Sequence, residues 1–207
     1  DRVDRSNLQR QVIHTEGMIG RAKVESEREA IQALDPDVQV VLHQERLDSS
    51  NVDEIFAGYQ VVVDGTDNFA ARYLINDACI KHRLPNVHGA VFRFDVQVSV
   101  FWPGRPGAPV PCDRCLCPEP PPPELAPSCA EAGVLGVMPG VIGLLQAVET
   151  VKLLLGLGDP LVGRLLHYDA LAGRFQELRF ARDPDCAYCG DGKAFPGYVD
   201  YEAFCRG

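Results

Sequence analysis

The sequence predicts an α/β fold with a mostly parallel sheet that continues into antiparallel strands. Three observations point there: short apolar strand candidates alternate with helical periodicity in the first half, two C-x-x-C pairs bracket the second half, and a carboxylate-rich turn follows the most regular strand. The chain has 207 residues, a net charge of −9 and 46% hydrophobic residues, which fits an ordinary globular protein with a buried core. This acidity argues against broad binding to nucleic acid or to anionic membranes. The first twenty residues show no apolar signal-peptide region, so a cytoplasmic protein is expected.

In chain order, residues 20–34 read as an amphipathic helix, with Val24, Ala30, Ile31 and Leu34 on one face and Asp35-Pro36 as the stop. Residues 38–42 are a β-branched strand candidate, and 51–57 a short helix ended by Gly58. Residues 60–64 form a continuous apolar strand of the kind buried on both faces, and 68–83 follow with helical spacing at Ala71, Leu74, Ile75, Ala78 and Cys79. Strands are expected at 86–89 and 95–102. Residues 103–127 carry ten prolines, which excludes helix and interior strand from that segment. The apolar stretch 134–157 is interrupted by Gln146, Glu149, Thr150 and Lys152, so it is expected as a buried helix of a domain, not a membrane span. Two strands at 164–168 and 174–180, with a turn at Ala172-Gly173, close the pattern.

Cys112 and Cys115 form one knuckle, Cys186 and Cys189 another. A two-residue spacer lets both thiolates of a knuckle reach one ion, and two knuckles fill four tetrahedral positions. Zinc in a structural role is the expectation; a redox dithiol and disulfides are the competing readings. The metal would tie the proline-rich loop to the C-terminus. Cys129 stands just before the long helix, either as a loop nucleophile or as a small packed residue. Cys79, on an apolar helix face, is expected to be a core thiol.

The turn Gly65-Thr66-Asp67-Asn68 lies at the C-terminal edge of a strand and the entrance to a helix, where open α/β sheets bind ligands. A carboxylate there can hold Mg²⁺ on a triphosphate, while cations such as Arg10 and Lys23 neutralise phosphate charge. Asp67 and Asn68 are also good helix N-caps, and capping consumes one of the two and leaves the other.

Five segments together carry a resemblance: Ser6-Asn7-Leu8-Gln9-Arg10-Gln11, Gly20-Arg21-Ala22-Lys23-Val24, Asp64-Gly65-Thr66-Asp67-Asn68, the paired knuckles, and Cys129-Ala130-Glu131-Ala132-Gly133-Val134. In order and spacing they resemble the MoeB/ThiF family, relatives of ubiquitin-activating enzymes that adenylate the C-terminal glycine of sulfur-carrier proteins. The resemblance implies one Rossmann-like adenylation domain over 1–207, with the segment at about 103–130 as a crossover loop. It implies ATP contacted by Ser6, Asn7, Arg10, Lys23 and Asn68, Mg²⁺ on Asp67, and Cys129 at the catalytic position through which some members form a persulfide or thioester link while others work without it. The implied partners are a ubiquitin-like carrier ending in Gly-Gly, a sulfur donor such as a cysteine desulfurase or rhodanese, and a second copy of the chain as a homodimer. Family members also carry a first strand, a Gly-rich turn and a ribose-binding acid ahead of the position matching Asp1. That first βαβ unit is therefore expected to be absent. The alternatives are a non-catalytic carrier-binding scaffold and, less well supported because no G-x-G-x-x-G follows a strand, a nicotinamide oxidoreductase.

Overall fold

The computed structural model describes residues 1–107, 109–121 and 133–205. It divides into two compact units, Asp1–Arg46 and Leu47–Gly207.

In the first unit, 3₁₀ turns at Arg5–Asn7 and Glu16–Met18 precede helix α1, Lys23–Leu34. The Asp4 carboxylate accepts the Ser6 N–H at 2.8 Å, and the Asn7 side chain returns to the Asp4 N–H at 3.2 Å, so the first turn is capped from both sides. His14 is buried against Ser26 of α1, with Nδ1 2.8 Å from the hydroxyl. Helix α1 starts at Lys23, three residues later than the spacing predicts. Its apolar stripe is not a core face: Leu34 is 88% exposed, and the only buried residue of α1 is Ser26. Residues 38–42, expected as a strand, are irregular. β-branched residues favour extended backbone, but a strand also needs a ladder partner, and none lies beside this run among the described residues.

The second unit is built on a five-stranded mixed sheet in the order β1-β2-β3-β4-β5, comprising β1 Val62–Asp64, β2 Asn86–Phe92, β3 Asp95–Phe101, β4 Arg164–Asp169 and β5 Arg174–Arg179. β1 and β2 are parallel, with Asp64 opposite His88, and every later pair is antiparallel. The expected α/β class is thus present, with the parallel part confined to one pair. β1 is shorter than its apolar run, and Val63 at its centre is 50% exposed, so the strand is not buried on both faces as expected.

Helix α2, Val52–Phe56, precedes β1, and helix α3, Phe69–His82, connects β1 to β2. The start of α3 is fixed by Asn68, whose side chain accepts the Ala71 N–H at 2.9 Å. Its end is fixed by Arg83 in the left-handed region, φ 58°, with Lys81 and His82 complementing the helix dipole in the last turn. Val52, Phe56, Tyr73, Leu74, Ile75, Ala78 and Cys79 form one core with Tyr201 of the C-terminal turn α6, Tyr201–Phe204. Cys79 is the packed thiol expected, and burial pushes its pKa up.

One turn of helix, α4, Asp113–Leu116, lies inside the proline-rich segment, contrary to the expectation of no helix there. The prolines flank it: the run 112–117 contains none, so its backbone is free to turn. The apolar stretch becomes α5, Met138–Leu155, with proline in its first turn and Gly156 as left-handed C-cap. Met138 and Ile142 pack on Val87, Val96, Val98 and Val100 of the sheet. Only that side is buried. Leu144, 72% exposed, with Val148, Val151, Leu154 and Leu155, forms an open apolar face, which corrects the expectation of a wholly buried helix. By length and composition α5 could cross a membrane. Yet its inner face carries two polar anchors: Glu149 accepts the Leu161 N–H at 2.7 Å, and Gln146 bonds the sheet.

Candidate functional site

Parallel β1 ends at Asp64, and α3 begins after Asn68, so Gly65-Thr66-Asp67 is the loop at the C-terminal edge of the strand. The expected division of labour between neighbours is resolved here. Asn68 spends its Oδ1 on the helix cap. Asp67 is exposed, and its carboxylate makes no hydrogen bond or ion pair among the described residues.

The loop is held from below. Asp64 is 1% exposed, and its Oδ1 accepts both the Thr66 N–H at 2.9 Å and the Thr66 hydroxyl at 2.7 Å. Its Oδ2 lies 3.3 Å from His88 Nδ1 on β2. Burial pulls the Asp64 pKa upward, but the His88 and Thr66 hydrogen bonds outweigh it and hold the carboxyl below its ordinary value. From the other side the Arg72 guanidinium donates to the Thr66 carbonyl, with Nη2 at 3.2 Å. Gln146 of α5 donates to the carbonyls of Asp64, at 2.7 Å, and Val87, at 2.9 Å, locking the ends of β1 and β2 together. Gly89 makes room for it: a Cβ there would sit 2.5 Å from the Gln146 side chain.

The other residues expected at the site belong to the first unit. Asn7 is buried in its capping box, Ser6 is exposed, and Arg10 donates to the Ser6 carbonyl at 3.1 Å. Lys23, the first residue of α1, pairs with the Asp1 carboxylate at 3.0 Å. Ser6, Asn7, Arg10 and Lys23 therefore stand together on one unit, and Asp67 and Asn68 on the other. Cys129 lies outside the described residues.

The four knuckle cysteines do converge. All four Sγ atoms lie within 4.8 Å of one another, and the closest approaches are Cys112 to Cys115 and to Cys186, both 3.8 Å, and Cys115 to Cys189, 3.4 Å. A tetrahedron with metal–sulfur bonds of ~2.3 Å has edges of ~3.8 Å, so the donor set fits a metal of that preference. Hydrogen bonding among the thiols pushes Cys112 up and pulls Cys115 and Cys186 down. The backbone supports the site: Gly190 N–H bonds the Cys186 carbonyl at 2.8 Å, and Arg182 Nε bonds that of Cys189 at 2.9 Å.

Between the first two cysteines, Arg114 turns inward. It makes two 2.8 Å bonds to Asp77 of α3, which is fully buried and also accepts from Tyr201 at 2.8 Å. Its guanidinium stacks over Tyr188, Tyr73 and Phe204 at 4.1, 4.7 and 5.0 Å from the ring centres. The knuckle is thereby fastened to α3 and α6 independently of any metal. Sequence reasoning gave no role to the Arg114–Asp77 pair or to His88, named Gln146 only as a polar interruption of the apolar stretch, and named Asp64 only as part of the loop motif. The Asp64-Gly65-Thr66 spacing is an Asx-turn signal for one of them, whereas long-range partners such as Gln146 leave no local trace.

A mixed α/β sheet with an acidic loop at the edge of its parallel strand, and a four-thiol centre joining residues 112–115 to 186–189, defines an α/β domain with a candidate metal site. The chain belongs to the ThiF family, whose model matches residues 1–188. It is 50% identical over 206 residues to the sulfur carrier protein adenylyltransferase of Thermus thermophilus, covering 99% of this chain and 76% of that protein. It is 48% identical over 192 residues to the SAMP-activating enzyme E1 of Haloferax volcanii, covering 93% of this chain and 69% of that one. Against the probable adenylyltransferase/sulfurtransferase MoeZ of Mycobacterium tuberculosis the identity is 45%, and the match spans 51% of that longer protein. Among solved structures, E. coli MccB with ATP shares the fold at a TM-score of 0.76 and 16% identity, over 92% of this chain and 56% of that one. The expected family is borne out.

Proposed function

We propose that this chain carries out ATP-dependent adenylation of the C-terminal glycine of a small ubiquitin-like sulfur carrier ending in Gly-Gly. The observation that carries the reading is the kinship, over nearly the whole chain, with adenylyltransferases of sulfur-carrier proteins. The exposed Asp67, left free when Asn68 caps α3, agrees with it.

In this reading Arg10 and Lys23 neutralise the phosphates, and Ser6, Asn7 and Asn68 orient the nucleotide. Asp67 holds Mg²⁺, which when bound offsets charge on the triphosphate and on the departing pyrophosphate. The carrier carboxylate attacks the α-phosphorus and the bond to pyrophosphate breaks. Carboxylates are ionised above about pH 4, so no general base is required, and the protein contributes positioning and charge. Cys129 belongs to the later sulfur transfer from a donor of the cysteine desulfurase or rhodanese type. Zinc is the ion of the four-thiol centre, supported by the all-sulfur donor set and the near-tetrahedral spacing. The working assembly is a homodimer in the cytoplasm; the apolar outer face of α5 supports association, and the free thiols of the described cysteines suit a reducing compartment.

The test is ATP–pyrophosphate exchange by the full protein with a Gly-Gly carrier. Label enters ATP only when carrier and Mg²⁺ are both present; absence of carrier-dependent exchange contradicts the reading.

A further inference from the structure

We infer that Thr66 is a positioning residue: clamped between the buried Asp64 carboxylate and the Arg72 guanidinium, it fixes the direction in which Asp67 presents its carboxylate. The inference deepens the reading of Asp67 as the Mg²⁺ ligand and rests on it.

All three polar groups of Thr66 are occupied. Its N–H and hydroxyl both go to Asp64 Oδ1, at 2.9 and 2.7 Å. Its carbonyl receives Arg72 Nη2 at 3.2 Å and Nε at 3.4 Å. Each clamp is itself anchored. Asp64 is held by His88 at 3.3 Å through its side chain and by Gln146 at 2.7 Å through its carbonyl. Arg72 is one turn into α3, and its guanidinium lies 5.3 Å from the centre of the Phe69 ring. The residue after Thr66 is the unpaired Asp67, and the one after that is the capped Asn68. The two soft torsions of Asp67 are thus bounded by fixed residues on both sides. The Asp64 carboxylate is buried, and its bonds to Thr66 and His88 offset the cost of taking it out of water, so the clamp on Thr66 is part of what holds Asp64 in place.

Thr66→Val keeps the shape and the backbone bonds and deletes only the hydroxyl. Thr66→Ser restores the hydroxyl. In ATP–pyrophosphate exchange with carrier, Thr66→Val is expected to raise the Mg²⁺ concentration for half-maximal rate about tenfold, a modest loss on the scale of one misplaced group, and Thr66→Ser to return it near the wild-type value. Arg72→Gln loosens the opposite side and is expected to shift the Mg²⁺ requirement the same way. A purely architectural role would lower thermal stability and the active fraction but leave the Mg²⁺ dependence unchanged. Wild-type Mg²⁺ dependence in folded Thr66→Val overturns the inference, as does failure of both Thr66→Val and Arg72→Gln to fold. If wild-type protein shows no carrier-dependent exchange, the adenylation reading itself fails, an outcome distinct from wild-type exchange that Thr66→Val leaves untouched.

Discussion

Replacing Arg114 by Met leaves the Asp77 carboxylate fully buried without its cation. Asp77 keeps the Tyr201 hydroxyl at 2.8 Å and the Asn76 amide at 2.9 Å but loses both 2.8 Å guanidinium bonds. Removing one partner of a buried pair costs about 3–5 kcal/mol, because the remaining charge is stranded in low dielectric. Two charge-assisted bonds at about 1.5–3 kcal/mol each lead to the same range. The three rings around the guanidinium add to the loss, although the Met thioether recovers part of it by packing on them. We therefore expect about 4 kcal/mol of destabilisation for Arg114→Met. Adding Asp77→Asn removes the stranded charge, so the double variant should be about 2 kcal/mol more stable than Arg114→Met alone. Urea unfolding followed by the fluorescence of Trp102, the single tryptophan, measures both. A cost below about 1 kcal/mol for Arg114→Met, or a double variant weaker than the single, would refute the argument.

Cys112→Ser should abolish metal binding at the thiol centre and lower Tm by several degrees, since 1 kcal/mol is worth about 2–4 °C in a domain of this size; elemental analysis and a thermal melt check it. Gly89→Ala should push the Gln146 amide off two buried carbonyls and cost about 2–4 kcal/mol in chemical denaturation. Burial raises Asp53, but hydrogen bonds from Lys81, Tyr198 and His82 outweigh it and hold the carboxyl at about 2. A depressed pKa contributes stability that is present above the unfolded value near 4 and lost as the pH falls toward 2. Asp53→Asn should accordingly flatten the acid limb of the stability–pH profile between those values, and an unchanged limb would count against the assignment.

Local rules account for what was legible. The 68–83 spacing with Asn68 as cap reproduces α3 within a residue, and Ala172-Gly173 marks the β4–β5 turn, where Gly173 has φ 62°. The two C-x-x-C spacings led directly to the four-thiol cluster. What failed depended on partners remote in sequence. Residues 38–42 have strand propensity without a neighbouring strand, and the apolar stripe of α1 has nothing packed on Leu34. The apolar composition of α5 says how much surface is oily, not how much is covered. At the loop, the motif exposed Asp67 and Asn68 as candidates and the Asp64-Gly65-Thr66 spacing hinted at the turn below them, but the support from His88 and Gln146 is assembled across as many as 82 positions of chain, which no local pattern records.

The adenylation reading turns on Asp67. Carrier-dependent ATP–pyrophosphate exchange by Asp67→Ala, compared with the unsubstituted full protein at saturating Mg²⁺, tests it most directly. The account predicts exchange reduced at least about a hundredfold, the scale for removing one electrostatic group from a transition state, with the metal content of the thiol centre unchanged. Exchange at the unsubstituted rate would contradict it.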